Sequence, residues 1–160
     1  MAHEQEQFVT TRLERLKNEC FTRAPRKWVF DMPQSAKGRR VLDIACGLGY
    51  DSMAWARAGK QPVGVDFVFE LVKNASQLAA VQGLRIPFVV ADAAALPFRD
   101  GSFDVSFSES LLEHVPKWED VVREARRVLK QDGVLFIGTT NRFCPINREI
   151  NHFHFLPLAA

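Results

Sequence analysis

Few features of secreted, metal-binding or membrane-spanning proteins occur in this sequence. Its three cysteines, Cys20, Cys46 and Cys144, are odd in number and far apart, and they form neither a CxxC pair nor a histidine–cysteine cluster with metal-ligand spacing. No apolar run approaches the ~20 residues that a membrane-spanning helix needs. The first residues also lack the basic flank and apolar stretch of a secretion signal. These absences predict a reduced, cytoplasmic setting and no metal site.

Strong charge of one sign is missing too. The 21 Lys and Arg against 19 Asp and Glu leave a net charge of +2, which is too small to indicate electrostatic binding of nucleic acid. The basic residues that would form an RNA-binding face fit the solvated side of an amphipathic helix better: Arg123, Arg126, Arg127 and Lys130. Nucleic acid is therefore not the expected partner.

Hydrophobic residues, in contrast, are plentiful. The chain has 160 residues, of which 47% are hydrophobic, and this is enough for one domain with a sizeable core. Residues 1–37 are expected to form an N-terminal helical segment or cap, with an amphipathic helix over residues 5–21. Residues 38–140 are expected to form the core, and residues 141–160 a C-terminal lid or docking segment.

The core region alternates between short apolar runs and helical periodicity. Strands are predicted at Val41–Ala45, Pro62–Asp66, Pro87–Asp92, Phe103–Phe107 and Val134–Gly138, and helices over residues 50–59, 68–82 and 117–130. Such alternation predicts an α/β fold with a doubly wound, Rossmann-like parallel sheet and helices on both faces. The sheet is expected to end after the fifth strand, which would leave an edge for a partner chain or for self-association.

Ligands of such folds bind beyond the carboxyl ends of the strands, where this sequence places a glycine turn and two acidic residues. Gly47 and Gly49 let the backbone turn tightly and approach a ligand, although a plain strand-to-helix connection would also use them. Asp66, 19 residues after Gly47, is placed to accept hydrogen bonds from ribose hydroxyls, or else to cap a helix. Asp92, followed by the small Ala93, is placed to accept from an adenine amine, or else to cap a turn.

A nicotinamide dinucleotide and S-adenosylmethionine both fit this pattern, and Ser52 and Asp43 favour S-adenosylmethionine. A nicotinamide dinucleotide site has a third glycine where this chain has Ser52. Asp43, just before the turn, suits a cationic sulfonium and ammonium ligand, whereas it would repel a pyrophosphate. S-adenosylmethionine is therefore preferred, and a nicotinamide-dependent reductase is the less favoured alternative.

The same segments resemble the motifs of the class I S-adenosylmethionine-dependent methyltransferases, in order and over residues 38–140. The small-molecule members of ubiquinone and menaquinone biosynthesis are the most similar group. The matching runs begin at Val41 for VLDIACGLGY, Val63 for VGVD, Val90 for VADA, Ser102 for SFDVSFS, Leu112 for LEHV and Arg123 for REARRVLKQDGVL.

The resemblance implies a role for each matching position. The methionine part of S-adenosylmethionine would face the turn and Ser108, the ribose would meet Asp66, and the adenine would lie by Phe67, Asp92 and Ala93. The turn residues concerned are Ala45, Cys46, Gly47 and Gly49. Ala45 departs from the glycine that many members have there. S-adenosylhomocysteine would be the product.

The acceptor is less defined than the cofactor. His114 is the first candidate for a general base, with Glu113 second, although a histidine at a helix start also makes local hydrogen bonds. The Asn/Asp-Pro-Pro-aromatic motif of base methylases is absent after the fourth strand, so a small-molecule acceptor is expected. His152 and His154 alone make a poor metal site.

The chain is also shorter after the fifth strand than members of this family usually are. The resemblance therefore leaves an alternative to methyl transfer. In that alternative the protein binds S-adenosylmethionine without turnover, or forms one half of a complex that a partner completes.

Overall fold

The structure, a computed structural model, describes residues 38–140 and 152–154. The predicted helix over residues 5–21, the cap over 1–37, Cys20 and Cys144 lie outside the described residues. So does most of the predicted C-terminal extension.

Strands and helices alternate through the described region. The strands are β1 Arg40–Ile44, β2 Gln61–Asp66, β3 Phe88–Val90, β4 Phe103–Glu109, β5 Leu129–Thr140 and β6 His152–His154. The helices are α1 Tyr50–Arg57, α2 Phe69–Val81 and α3 Trp118–Arg127, with a 3₁₀ turn at Leu112–His114.

One sheet contains all six strands, in the order β3-β2-β1-β4-β5-β6. The first five strands run parallel, which confirms the doubly wound α/β prediction. The direction of strand order reverses between β1 and β4, and the crevice beyond their carboxyl ends is where ligands of such folds bind.

Successive residues of β1 point to opposite faces of the sheet, and those on each face are buried in a core that helices cover. Leu42 and Ile44 of β1 face a core shared with α3, and Val41 faces the opposite side with Trp55 of α1. The first core consists of Leu42, Ile44, Val65, Leu96, Phe103, Ala125, Val128, Leu129 and Leu135. Met53 of α1 packs with Leu78 and Ala79 of α2 in a third cluster.

The carboxyl-terminal part of the sheet differs from the sequence prediction in two ways. β5 begins at Leu129, so Lys130 belongs to the strand and not to the predicted helix over 117–130. Pairing with β4 overrides the local helical pattern there, since Phe103 N donates to Val128 O at 3.0 Å and Phe103 aligns with Leu129. β6 adds an antiparallel strand that pairs with Gly138–Thr140, so the sheet continues one strand beyond the fifth. A three-residue strand is too short to show a period in the sequence.

Candidate functional site

The glycine turn closes the end of β1 with a run of left-handed backbone. Ala45, Gly47 and Gly49 have φ angles of 60°, 54° and 74°. Gly49 N donates to Cys46 O at 2.8 Å, and Cys46 N donates to Val65 O at 2.9 Å. The turn is thereby attached to the end of β2 as well as to β1.

The two glycines of the turn have different surroundings. A Cβ on Gly49 would lie 2.6 Å from Phe88 Cζ and 3.1 Å from Ala75 Cβ, so its absence allows the turn to pack against β3 and α2. A Cβ on Gly47 would have nothing within 4 Å. Gly47 therefore faces open space, where a ligand can approach the backbone closely.

Asp66 joins the glycine turn to the end of β2. Its side chain is buried, and its Oδ2 accepts a hydrogen bond from Gly47 N at 2.9 Å. Its Oδ1 accepts from Val68 N at 2.9 Å and so closes a local turn before α2. The alternative of a helix N-cap is wrong, because Val68 is the N-cap of α2 and has no side-chain cap bond. Each carboxylate oxygen has two lone pairs, which leaves acceptor capacity for ribose hydroxyls.

Asp92 lies after β3 in an exposed turn. Its Oδ1 accepts from Ala94 N at 2.9 Å, and its backbone O accepts from Ala95 N at 3.0 Å. The turn-capping interpretation is thus correct, and the exposed carboxylate keeps acceptor capacity at Oδ2. Phe67 follows Asp66 with 75% of its surface exposed, and it presents a flat apolar ring at the carboxyl end of β2.

Asp43 lies behind the glycine turn and is buried. Ser52 Oγ donates a hydrogen bond to Asp43 Oδ2 at 2.6 Å. Ser52 occupies the position of the third glycine in dinucleotide-binding proteins, so in this chain that position binds the acidic side chain instead. Burial, followed by the negative charge of Asp51, raises the pKa of Asp43 to about 8. The sequence indicated Asp43 and Ser52 separately, but it did not show that they are bonded.

A cavity of about 290 Å³ opens in front of the turn. Its lining includes the predicted residues Ala45, Cys46 and Gly47, together with Leu48, Tyr50, Asp51, Leu71, Glu109 and Ser110. Burial, then the charges of Asp43 and Asp66, raises the pKa of the Cys46 thiol. Cys46 therefore lines the cavity as a neutral thiol and not as a thiolate nucleophile.

Ser108 lies at the end of β4, next to Ile44 in the sheet register. Its hydroxyl is buried and has no hydrogen-bond partner within the described part of the chain. The next two residues, Glu109 and Ser110, line the cavity. The sequence analysis missed both residues, and their position at the carboxyl end of β4 was the available signal.

A second cavity, of about 850 Å³, lies beyond β4. It is lined by Leu112, Glu113, His114, Val115, Pro116, Trp118 and Thr139. The structure thus brings together both predicted acid–base candidates on the 3₁₀ turn. Both side chains are exposed, and Glu113 Oε2 accepts from Thr139 Oγ1 at 2.9 Å.

Comparison with known proteins decides the family. A family model described as a methyltransferase domain matches residues 42–137, which is more than half of the chain. This chain belongs to the class I S-adenosylmethionine-dependent methyltransferases. The resemblance that the sequence motifs indicated is thereby confirmed.

Individual relatives and solved structures are similar to this chain over the same region. The ubiquinone biosynthesis O-methyltransferase of Bordetella avium is 32% identical over 117 residues, covering 72% of this chain and 48% of that protein. The YcgJ protein from Bacillus subtilis is similar in structure, with a TM-score of 0.64 and 35% identity over 69% of this chain and 49% of that one. A [4+2]-cyclase, SpnF, has a TM-score of 0.65 and 28% identity over 73% of this chain and 47% of its own.

The chain spans about half the length of the curated relatives that it matches. Among the described residues, no helix is both long and apolar enough to cross a lipid bilayer. The same residues contain no group of three or more His, Cys, Asp or Glu side chains that would hold a metal ion.

Proposed function

We propose that the chain binds S-adenosylmethionine across the carboxyl ends of β1, β2 and β3. Asp66 holds the ribose hydroxyls, and Phe67, Asp92 and Ala93 receive the adenine. The hydrogen bond from Gly47 N to Asp66 Oδ2 is the observation that carries this proposal, because it joins the turn and the carboxylate into one site. The open space at Gly47 leaves room for the cofactor there.

The methionine end of the cofactor fits the cavity in front of the turn. Asp51 and Glu109 line this cavity, and Asp43 lies behind it. An ammonium or sulfonium ion gains favourable Coulomb energy near the carboxyl groups of Asp51 and Glu109. Asp43, whose raised pKa of about 8 keeps it protonated at neutral pH, adds no charge there. A pyrophosphate would be repelled by Asp51 and Glu109, so the charges favour S-adenosylmethionine over a nicotinamide dinucleotide. The contact of Ser108, at the end of β4, with the methionine part of the cofactor stays a prediction.

We further propose methyl transfer to a small-molecule acceptor in the cavity beyond β4. Bound S-adenosylmethionine supplies an electrophilic methyl group, and S-adenosylhomocysteine is the product. Trp118 and Leu112 offer apolar surface that orients an acceptor and keeps water away. His114 takes the proton that a hydroxyl or amine acceptor loses, with Glu113 as the second candidate.

The acceptor class comes from the relatives. Several are named ubiquinone biosynthesis O-methyltransferase, which makes a hydroxyl-bearing small molecule the first class to test. The fold alone does not decide the reaction, since a protein described as a [4+2]-cyclase has a similar structure. The location of the protein in the cytoplasm, and an oligomer or partner chain, stay predictions.

Two measurements test the proposed function. Isothermal titration with S-adenosylmethionine, S-adenosylhomocysteine and NADH should show binding of the first two; binding of NADH alone would overturn the cofactor assignment. Incubation with methyl-labelled cofactor and a metabolite extract should then give a labelled product. Tight cofactor binding without any product would instead support a protein that binds without turnover, or one half of a complex.

A further inference from the structure

The loop between β3 and β4, residues 91–102, carries the proposed adenine contacts but has no helix or strand of its own. Its first residue is attached to β2, because Ala91 N donates to Asp66 O at 3.0 Å. Asp92 then closes a turn onto Ala94 and Ala95. The position of Asp92 therefore depends on how the loop is held after this turn.

Two side chains from α3 hold the loop directly after the Asp92 turn. Glu124 Oε2 accepts from Leu96 N at 2.8 Å, and Arg127 Nη2 donates to Leu96 O at 3.0 Å. Arg127 Nη1 donates to Phe98 O at 2.8 Å and to Asp100 Oδ1 at 2.6 Å. Three backbone groups of the loop are thus bonded to one pair of side chains.

Glu124 and Arg127 are also joined to each other by two hydrogen bonds. Arg127 Nε donates to Glu124 Oε1 at 2.7 Å, and Arg127 Nη2 donates to Glu124 Oε2 at 2.8 Å. This bidentate arrangement is specific to the planar guanidinium, and it fixes both side chains in one orientation. The hydrogen bonds from Arg127 also lower the pKa of Glu124, which keeps the carboxylate ionised.

The loop segment that the pair holds is packed as well as bonded. Leu96 is buried in the core shared with α3, and the ring of Phe98 meets that of Phe103 edge-on at 5.1 Å between centroids. Gly101 N donates to Arg127 O at 3.1 Å, so the end of the loop is attached to the same residue. The loop is thus attached to α3 by packing and by hydrogen bonds from Leu96 to Gly101.

We propose that Glu124 and Arg127 are positioning residues for adenine recognition, which hold Leu96 so that Asp92 meets the exocyclic amine of the base. This inference rests on the proposed function, in which Asp92 reads the adenine. A role in stability alone would lower the affinity for every ligand of the site by the same factor. A positioning role lowers the discrimination between bases, because the amine contact alone is disturbed.

The test compares two ligands on the full chain. Dissociation constants are measured by calorimetry for S-adenosylhomocysteine and for S-inosylhomocysteine, in which a carbonyl oxygen replaces the amine. The wild type should prefer the adenosyl ligand about 10-fold or more, since a charge-assisted hydrogen bond is lost with the inosyl ligand. Arg127→Lys keeps the positive charge but loses the planar guanidinium that makes the bidentate contact. It should reduce this preference to about threefold or less.

Arg123→Lys is the matched control. Arg123 lies on the same helix and pairs with Asp120 at 2.7 Å, also three residues away, but it is 70% exposed. Its variant should keep the wild-type preference. Glu124→Gln, which retains an oxygen for Leu96 N but loses the charge, provides the same test if Arg127→Lys does not fold.

The outcomes separate the two proposals. A folded Arg127→Lys or Glu124→Gln protein with the wild-type preference would overturn the positioning role. A wild type that binds both ligands equally would overturn it too, yet leave cofactor binding in place. A wild type that binds neither ligand would overturn the proposed function itself.

Discussion

Ala45 has a backbone conformation that alanine seldom adopts. Its φ of 60° is left-handed, which costs an L-residue about 1–2 kcal/mol relative to the right-handed region. This explains physically why many members of the family have glycine at the matching position. The close turn at the end of β1 requires the conformation, whichever residue is present.

Replacing this alanine should therefore stabilise the protein. Ala45→Gly removes the steric cost but adds flexibility to the unfolded chain, so the free energy of unfolding should rise by up to about 1 kcal/mol. Urea denaturation measures the change. Ala54→Gly, in the interior of α1, is the control and should lower the same free energy by about 1 kcal/mol. A destabilised Ala45→Gly protein would contradict this explanation.

The carboxylate of Asp66 should dominate the affinity for the cofactor. Asp66→Ala removes the bond from Gly47 N and the proposed charge-assisted bonds to ribose, so binding of S-adenosylhomocysteine should weaken by at least ~1.5 kcal/mol. Titration calorimetry measures the dissociation constant of S-adenosylhomocysteine for both proteins. Asp132→Asn, at an exposed carboxylate outside the site, should bind as the wild type does. Unchanged affinity in a folded Asp66→Ala protein would remove Asp66 from the site.

Asp43 should make stability depend on pH. Its pKa is raised to about 8, so the protonated side chain stabilises the fold at low pH. That stabilisation is lost as the pH rises from about 4 to about 8, by up to ~1.4 kcal/mol per pH unit, and is absent above the folded-state pKa. Asp43→Asn keeps an acceptor for Ser52 and should flatten this fall.

Urea denaturation of both proteins at pH 5.5, 6.5 and 7.5 checks the expectation. The difference between wild type and Asp43→Asn isolates the contribution of this carboxyl group from those of other titrating residues. Asp132→Asn should keep the wild-type slope. Equal slopes for the wild type and Asp43→Asn would show that Asp43 is ionised in the folded protein.

At the scale of elements, the turn after β1 has one side that packs, at Gly49, and one side that faces open space, at Gly47. Gly49→Ala would push a Cβ into Phe88 of β3, so we expect a loss of about 2–4 kcal/mol of unfolding free energy from strain and overpacking. Gly47→Ala meets only the left-handed strain, about 1–2 kcal/mol, but fills the space proposed for the cofactor.

The two glycine variants act as controls for each other. Thermal unfolding should rank Gly49→Ala as the less stable protein, and calorimetry at low temperature should show that Gly47→Ala loses affinity for S-adenosylhomocysteine. Wild-type affinity in Gly47→Ala would place the cofactor elsewhere. Equal stability of the two variants would mean that Phe88 moves aside without cost.

At the scale of the whole molecule, cofactor binding should stabilise the fold. S-adenosylhomocysteine at about 100 times its Kd should add ~2.7 kcal/mol by mass action. For a chain of this size, this corresponds to a rise in Tm of roughly 5–10 °C. Differential scanning fluorimetry measures it, with NADH as the ligand control. A rise with NADH but none with S-adenosylhomocysteine would contradict the assignment.

Much of the fold could be predicted because parallel strands buried on both faces need near-continuous apolar runs, and the helices between them need a 3.6-residue period. Gly47, Asp66 and Asp92 could be predicted for a related reason. Each lies at, or just after, the carboxyl end of a strand, and the ends of parallel strands meet at one edge of the sheet. The sequence alone therefore determined the architecture and the cofactor class.

Contacts between distant elements were decided by the tertiary structure. The bonds from Leu96 to Glu124 and Arg127 join residues 28 and 31 positions apart, and no local pattern reveals them. Likewise, Leu129 belongs to β5 because it pairs with Phe103 of β4, against its own helical context. The sequence states what each segment prefers, whereas strand order and helix packing determine which side chains meet.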